Sequence, residues 1–442
     1  MYHSSELSFY IVALGCSKNL VDSEKLKGRL LNALFTAADS SEEADIVIIT
    51  TCGFITNAKE ESIEVIFEAI EQRDGKKNTA GFTPKLVVAG CLTERYMDDI
   101  KKDIPEIDFV YGIADELFPE KMAETFGIVL DSPPFEKQVA LTGFLPYRYI
   151  KISEGCSNNC SYCAIPLIRG AAKAYSPEQI LDDARKALDD GVLELILVAQ
   201  DTAAYEYGGK KIHDILESVA ALPGVHWVRL LYCHPDNISD ELINCISRNQ
   251  NIVRYLDIPF QHAGAAILSS MGRRGNSAAY LELVRKIRER IPGVHIRSTF
   301  MVGYPGENAT DFEELIRFLG EARLDRVGAF IYSQEEGTPA AAFEKHVSQS
   351  LAKKRYARLM ETQRQISYEK LTAMIGEIVS VLVEEQVDET TYAGRSEFDA
   401  PDVDGIFYLT SEKNILHSIV RAAVTDAVEY DLIGEHIETS TS

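Results

Sequence analysis

Residues 154–166 read EGCSNNCSYCAIP and place three cysteines, Cys156, Cys160 and Cys163, within eight positions. The apolar run YRYIKIS (147–153) comes directly before them, so the cysteines lie in a loop that follows a predicted strand. A four-iron cluster normally takes four Cys ligands, and three leave one iron with an open coordination position. The spacing therefore predicts an iron–sulfur cluster that binds a further ligand at its open iron.

Two other interpretations of this trio stay open. A zinc site completed by His or a distant Cys has similar spacing, and buried thiols also serve as small apolar side chains. Met1 is not followed by a basic and apolar signal segment, and no apolar run approaches the length of a membrane span. We therefore expect a cytoplasmic protein, in which clustered cysteines are metal ligands or catalytic thiols more often than disulfides.

Six strand-like runs, of which the first precedes this segment and the others follow it, alternate with helix-length segments such as SPEQILDDARKALDDG (176–191). Parallel strands need crossover helices, so the pattern predicts an incomplete (β/α) barrel of about six units, with an open doubly wound sheet as the alternative. In such barrels the loops after the strands form the active site. The runs are YRYIKIS (147–153), LELILVAQ (193–200), HWVRLLYC (226–233), RYLDIPF (254–260), HIRSTFMVG (295–303) and RVGAFIY (326–332).

The fold class is α/β, with three predicted domains. Residues 1–140 alternate strands and helices, which predicts a small parallel α/β domain closed by a linker around the PP pair at 133–134. Residues 141–371 contain the partial barrel. Residues 372–442 carry short β-type runs broken by Gly and Asp, which predicts a C-terminal antiparallel β-barrel.

Another trio of cysteines lies in the first domain. Cys16, Cys52 and Cys91 each follow a predicted strand: YIVALG, IVIITT and LVVAG. Because the carboxyl ends of parallel strands share one sheet edge, the three can converge there. Each alone is most simply a buried cysteine, but the repetition favours a second three-Cys cluster. Cys233 and Cys245 have no partner at ligand spacing and are predicted to be buried.

The two trios carry a family resemblance. Cys156, Cys160, Tyr162 and Cys163 resemble the C-x-x-x-C-x-aromatic-C pattern of the radical S-adenosylmethionine (SAM) superfamily. With GCSKNLVDSE (15–24), TCGFITNAKEES (51–62) and GCLTERY (90–96), the whole chain resembles the methylthiotransferases.

This resemblance implies two 4Fe-4S clusters, SAM on the open iron, and a C-terminal TRAM domain. It further implies that a 5′-deoxyadenosyl radical abstracts hydrogen from a C–H bond, that the second cluster handles the sulfur, and that no side chain serves as acid or base. After IPLIRG, family members commonly continue with a basic stretch such as RSR, whereas this chain reads AAKAYSPE. Lys173 is the candidate substitute, and Arg169 is equally well a solvated loop charge.

Three further strand ends, VAQDT (198–202), DIPFQH (257–262) and RSTFMVGYPGE (297–307), also resemble family motifs. Polar groups at strand ends also cap helices or turn the chain, and this alternative stays open for each. The candidates for SAM contact are Tyr162, Gln200, Asp201, Gln261, Ser298 and Gly303.

The charge balance bears on the substrate. The net charge of −23 repels a phosphate backbone, and residues 372–442 alone hold 15 acidic and 3 basic side chains. The family has a branch that modifies a tRNA adenosine (MiaB-type) and one that modifies an aspartate of small-subunit ribosomal protein twelve (RimO-type). The stretch GRSEFDAPDVDGIFY (394–408) resembles the second branch, and we expect Asp399, Asp402 and Asp404 to contact a basic protein substrate.

The other branch remains the alternative, and an iron–sulfur electron carrier is a second one. Further expected partners are a low-potential electron donor of the flavodoxin or ferredoxin type and a sulfur source. Nucleic acid is not expected as the main substrate, nor a membrane as a partner, and the chain is expected to be a monomer.

Overall fold

The computed structural model describes residues 2–74 and 82–437, and its first domain is a five-stranded, wholly parallel sheet in the order β3-β2-β4-β5-β6. Its central strands are apolar on both faces, as a parallel sheet covered by helices requires. The predicted small parallel α/β domain is confirmed. Its elements are β1 Tyr2–His3, β2 Ser8–Ala13, α1 Ser17–Asn32, β3 Thr36–Ala37, β4 Ile46–Thr51, α2 Thr56–Asp74, β5 Lys85–Gly90, α3 Cys91–Asp103, β6 Phe109–Val110, α4 Phe118–Phe126 and β7 Ile128–Val129.

The second domain contains six parallel strands in two three-stranded sheets, β8-β11-β14 and β15-β16-β17. A parallel bridge between Val228 and Ile252 joins the two sheets, so the strands form one continuous, incomplete barrel. This confirms the predicted barrel rather than the open sheet. The elements are β8 Tyr147–Lys151, β9 Ser153–Glu154, α5 Ile165–Arg169, β10 Lys173–Ala174, α6 Pro177–Asp189, β11 Glu194–Val198, β12 Glu206–Tyr207, β13 Lys210–Lys211, α7 Ile212–Ala220, β14 Trp227–Leu230, α8 Asp240–Arg248, β15 Tyr255–Asp257, α9 Ala265–Ser270, α10 Ser277–Arg290, β16 His295–Val302, α11 Ala309–Ala322, β17 Arg326–Ile331 and α12 Gln349–Thr372.

Side chains alternate between two layers along the barrel strands. On β11, Leu195 and Leu197 point outward and join the apolar cluster beneath the helices, whereas Ile196 and Val198 point into the barrel. The period of two in a strand produces this alternation. The barrel interior is therefore free to hold functional groups at one end while the outer layer supplies the core.

The third domain is a closed five-stranded barrel in the order β18-β19-β20-β22-β21. Its pairs are antiparallel except β20 with β22, which run parallel, so the prediction of a purely antiparallel barrel needs this correction. The parallel pair arises because the chain leaves β20, pairs with β18 as β21, and returns as β22. The strands are β18 Ile378–Gln386, β19 Thr391–Ser396, β20 Phe407–Thr410, β21 Ile419–Ala427 and β22 Leu432–His436.

The two predicted domain boundaries have different positions relative to these elements. Residue 140 lies in the segment between β7 and β8, and residue 371 lies at the end of α12. No helix in the described ranges 2–74 and 82–437 is long and apolar enough to cross a membrane.

The first domain is attached to the barrel from two sides. Helix α1 packs beside β8, where Asp22 pairs with Lys151 and with Arg169. On the other side, the buried carboxylate of Glu335 pairs with Lys59 at 2.7 Å and with Arg95 at 2.8 Å. These contacts hold the carboxyl edge of the first sheet against the carboxyl ends of the barrel strands.

Candidate active site between the two cysteine trios

The first trio in chain order, Cys16, Cys52 and Cys91, lies at the carboxyl edge of the first sheet. Cys16 is the N-cap residue of α1, Cys52 directly follows β4, and Cys91 is the first residue of α3. Helices α1 and α3 thus begin at the cysteines, and their N-termini favour negative charge at this edge. Gly15 (φ +93°) permits the approach, because a Cβ there would lie 2.7 Å from the Cβ of Cys52.

The second trio, Cys156, Cys160 and Cys163, lies in the loop after β8 and β9. The backbone N–H of Ser161 donates to the carbonyl of Met271 at 3.0 Å, and that of Cys156 donates to the carbonyl of Gly170 at 3.1 Å. The hydroxyl groups of Ser161 and Tyr304 lie 2.8 Å apart. These hydrogen bonds fix the loop at the carboxyl ends of the strands.

Both trios face one cavity of about 340 Å³. All eight cysteines of the chain are free thiols, and the six of the trios line this cavity. Among the described residues, no group of His, Cys, Asp or Glu is arranged to hold a metal ion directly. Cys233 and Cys245 are buried elsewhere, as predicted.

The polar atoms on the cavity wall that lack a partner indicate whether the site fits SAM and its cluster. Within the described ranges, both side-chain amide atoms of Gln200, the Oε1 of Gln261 and the Nε of Arg273 are buried without a hydrogen-bond partner. Such groups are costly unless a ligand satisfies them. Six thiols and a wall with free donors and acceptors fit two iron–sulfur clusters with a polar ligand between them.

Only half of the six proposed SAM contacts line the cavity: Tyr162, Gln200 and Gln261. Gln261 has a positive φ of 69°, an uncommon conformation for a non-glycine residue that is enriched at functional sites. The other three residues, Asp201, Ser298 and Gly303, do not line the cavity. The two amides Asn158 and Asn237 each donate to Asp201 at 2.7 Å.

Ser298 and Gly303 contact other parts of the second domain instead of the cavity. The Oγ of Ser298 accepts the N–H of Phe260 at 3.2 Å. A Cβ at Gly303 would lie 2.7 Å from the Cβ of Ala352. Together with Asp201, these positions fit the alternative that strand-end polar groups and glycines shape the loops.

Burial sets the protonation of the thiols. It raises the pKa of Cys52 to about 11 and that of Cys163 to about 12, and in each trio the neighbouring thiols add to the rise. At Cys16, burial also acts to raise the pKa, but Lys18 and the backbone N–H of Asn19 outweigh it and the pKa is lowered. Because metal ligation needs thiolates, cluster assembly at the raised groups must release protons.

Arg169 is not the solvated loop charge that the sequence left open. Its guanidinium is buried and donates to the Sγ of Cys91, to Asp22 at 2.9 Å and to Glu154 at 2.9 Å. Arg169 ends α5, directly after the second trio, whereas Cys91 belongs to the first. The residue therefore connects the two halves of the site.

The cavity residues that the sequence did not assign to the site include Lys18, Tyr232 and Arg273. The ammonium of Lys18 lies over the Tyr232 ring, 3.5 Å from its centroid. Arg273 donates to the hydroxyl of Tyr162 at 3.2 Å. The available signal for Lys18 was its position two residues after Cys16, and for Tyr232 its place at the end of a barrel strand.

Two of the three acidic residues proposed to contact substrate are in fact structural. Asp399 is 3% exposed and pairs with Arg326 at 2.5 Å. Asp404 accepts from the hydroxyl of Tyr255 at 2.5 Å. The loop that carries them covers the amino-terminal ends of the barrel strands, where buried arginines need counter-charges. Asp402 alone of the three is exposed.

Family comparisons agree with this architecture. The family model of the radical SAM superfamily matches residues 150–319, which contain the barrel and its cysteine loop. Residues 8–112 match the uncharacterized protein family UPF0004, and residues 375–437 match the TRAM domain. The barrel and its three-cysteine loop are thus those of a radical SAM protein.

Curated relatives extend over almost the whole chain. Ribosomal protein uS12 methylthiotransferase RimO of Geotalea uraniireducens (strain Rf4) is 39% identical over 96% of this chain and 97% of its own length. The proteins of the same name from Caldicellulosiruptor saccharolyticus (40% identical, 96% and 99%) and Clostridioides difficile strain 630 (39% identical, 97% and 98%) are similar to the same extent. The chain belongs to the RimO family of radical SAM methylthiotransferases, enzymes whose cofactors are SAM and [4Fe–4S] clusters.

Solved structures resemble the chain at much lower identity. The radical SAM methyltransferase TsrM from Kitasatospora setae, with cobalamin and a [4Fe–4S] cluster bound, superposes with a TM-score of 0.56 at 14% identity, over 77% of this chain and 74% of that one. The cobalamin-dependent radical SAM enzyme OxsB gives 0.51 at 12% identity, over 82% of this chain and 56% of that one. These likenesses concern the fold.

Proposed function

We propose that this protein inserts a methylthio group at an unactivated carbon of an aspartate side chain in ribosomal protein uS12. Cys156, Cys160 and Cys163 hold the cluster that binds SAM, and the trio of Cys16, Cys52 and Cys91 holds the second cluster. With both in place, SAM and its cluster supply hydrogen abstraction from a C–H bond, and the second cluster supplies the sulfur.

The observation that carries this proposal is that both trios face one cavity. Hydrogen abstraction and sulfur delivery must reach the same carbon, and a reactive radical must be kept from water. The two-sided attachment of the first domain, through Asp22 and through Glu335, holds its trio at the same cavity as the trio of the barrel. An electron carrier has no need of such a chamber.

The chain's own side chains bind and orient the reactants. Gln200 and Gln261 offer unpartnered amide atoms to SAM, and Tyr162 lies beside the second trio with its hydroxyl held by Arg273. Arg169 holds Cys91 by hydrogen bonds to its sulfur. The reaction requires no side chain as an acid or base.

The protein substrate is favoured by two observations. The relatives at about 40% identity are named for uS12, and a chain of net charge −23 attracts a basic protein rather than a phosphate backbone. Our proposal further includes a low-potential electron donor of the flavodoxin or ferredoxin type, a separate sulfur source, a cytoplasmic location and a monomeric state.

An anaerobic reaction of the reconstituted enzyme with SAM, sulfide and reductant tests the proposal. Purified uS12 and total tRNA are offered in the same vessel, and both are analysed by mass spectrometry. We expect a methylthio mass increment on an aspartate-containing peptide of uS12. An increment on tRNA adenosine alone would overturn the protein substrate, and 5′-deoxyadenosine without any methylthio product would overturn the transferase assignment. The variant Cys52→Ala serves as the negative control.

A further inference from the structure

The cavity between the trios is lined by three cationic side chains: Lys18, Arg169 and Arg273. Arg169 is neutralised by Asp22 and Glu154, both at 2.9 Å. The other two have no carboxylate within ion-pair distance in the part of the chain that the structure describes. Within the described residues, neither Lys18 nor Arg273 is therefore neutralised by a carboxylate.

These two cations come from different domains and lie beside different trios. Arg273 donates to the hydroxyl of Tyr162 and to the carbonyl of Pro259 at 2.7 Å, so it belongs to the side of the SAM cluster. Lys18 lies in the first turn of α1, two residues after Cys16, so it belongs to the side of the second cluster. Each side of the cavity thus has one cation available to an anionic group.

The ammonium of Lys18 is held in place by Tyr232. The aromatic ring lies beneath it, 3.5 Å from centroid to Nζ, and the Tyr232 hydroxyl lies 3.3 Å from the Oγ of Ser17. Tyr232 has a positive φ of 62°, fixed by its N–H donating to Asp257 at 3.1 Å and by its carbonyl accepting the N–H of Thr202 at 3.0 Å. Strained backbone of this kind persists where the surroundings determine it and is concentrated at functional sites.

We propose that Lys18 is the specificity-determining residue that binds the carboxylate of the substrate aspartate. This inference rests on the proposed function. An aspartate that enters the cavity brings a negative charge out of water, which is unfavourable without a cationic partner. Asp257, the acidic residue that faces the same cavity, is already paired with Arg297 at 3.3 Å. Lys18 holds the substrate carbon next to the trio that supplies sulfur.

The protein's overall charge makes this assignment testable. A net charge of −23 disfavours every added negative charge on a ligand, so it weakens the binding of an aspartate peptide relative to the asparagine version of the same peptide. A preference for aspartate must therefore come from a local cation in the site.

The experiment compares two fluorescent peptides with the sequence of the modified uS12 segment, one with the target aspartate and one with asparagine in its place. Their dissociation constants are measured by anisotropy on anaerobic, reconstituted enzyme with saturating SAM. We expect the wild type to bind the aspartate peptide about 10- to 100-fold more tightly. Lys18→Met should reduce that ratio to near one, and Lys18→Arg should keep most of it.

Lys25→Met is the matched control, because Lys25 lies on the same helix and is buried but pairs with Glu136 and Asp183, outside the cavity. It should keep the wild-type ratio. A wild-type ratio near one, or an unchanged ratio in Lys18→Met, overturns the inference. Methylthiolation of the aspartate peptide by the wild type is followed in parallel, so a failure of the proposed function shows as absent product, separately from the ratio.

Discussion

The guanidinium of Arg169 donates two hydrogen bonds to the Sγ of Cys91, from Nε at 3.3 Å and from Nη2 at 3.2 Å. The two residues are 78 positions apart and belong to different domains. One side chain therefore joins the sulfur of the first trio to the helix that follows the second trio. Its remaining terminal nitrogen reaches Asp22 and Glu154, so the same group also fixes α1 and β9.

This contact predicts a change in the reduction potential of the second cluster. N–H groups that donate to cluster sulfurs favour the reduced, more negative state and raise the potential. Arg169→Lys keeps a positive charge but loses the paired donors, so we expect a lower potential. The measurement is a redox titration followed by electron paramagnetic resonance in a Cys160→Ala background, where only the second cluster contributes.

Arg273→Lys in the same background is the control for that titration. Arg273 contacts Tyr162 beside the other trio, so the potential of the second cluster should remain at its parent value. An Arg169→Lys titration that superimposes on the parent would show that these hydrogen bonds do not act on the cluster.

The positions of the cysteines could be predicted from the sequence, because each follows a strand and parallel strands present their carboxyl ends on one edge. That argument needs only local periodicity and a general rule of sheet geometry. The partners of Arg169 could not be predicted in the same way. They depend on how two domains pack, and a single arginine in a loop has no sequence pattern that distinguishes burial from exposure.

The division of labour between the trios predicts opposite defects in two cysteine variants. Cys160→Ala removes a ligand of the SAM cluster and should abolish reductive SAM cleavage, whereas Cys52→Ala should keep much of that cleavage and lose methylthiolation. Formation of 5′-deoxyadenosine and of methylthio product, both quantified by mass spectrometry, separates the two. Cys245→Ala is the control with both activities retained, because Cys245 is buried away from the cavity. Normal product formation by Cys52→Ala would contradict the assignment.

A buried carboxyl outside the cysteine loops predicts a pH-dependent stability. Burial raises the pKa of Glu307 from 4.5 to about 7, although Arg355 and the backbone N–H groups of Gly303 and Tyr304 act against it. Between pH 4.5 and about pH 7 the folded state binds a proton that the unfolded state lacks. The contribution of Glu307 to the free energy of unfolding therefore falls as the pH rises through this window, by about 3 kcal/mol in total, and is constant above it.

Urea unfolding of the wild type and of Glu307→Gln at several pH values from 5 to 8 checks this expectation, since all other titrating groups cancel in the comparison. The difference between the two proteins should shift steadily up to about pH 7 and then level off. Glu313→Gln is the control, because Glu313 is exposed and lies on helix α11, which begins two residues after Glu307. Its free energy of unfolding should differ from that of the wild type by the same amount at every pH. A constant difference for Glu307→Gln would mean that the carboxyl titrates at its usual pKa.

The acidic loop of the third domain shows where sequence reasoning fails for a physical reason. Aspartates in a polar stretch are normally exposed, and nothing in DAPDVDG indicates that arginines lie opposite. The arginines, among them Arg297 and Arg326, belong to barrel strands and face inward. The alternation of side chains along a strand predicts which residues face inward, but it does not predict which other segment of the chain covers the end of the barrel. Net charge predicted the acidic character of the domain but not the position of each charge.

The contrast between Asp399 and Asp402 supplies the last prediction. Asp399→Asn leaves Arg326 buried without its full counter-charge, so we expect the free energy of unfolding to fall by about 3 kcal/mol in urea titrations.

Asp402 is exposed, with a φ of 66° that asparagine adopts readily, so Asp402→Asn should change stability by less than about 0.5 kcal/mol. If Asp402 steers a basic substrate, its variant should slow association with uS12 in stopped-flow measurements, and added salt should remove the difference. A stable Asp399→Asn protein would show that the ion pair does not hold the third domain in place, and equal association rates would remove Asp402 from the substrate surface.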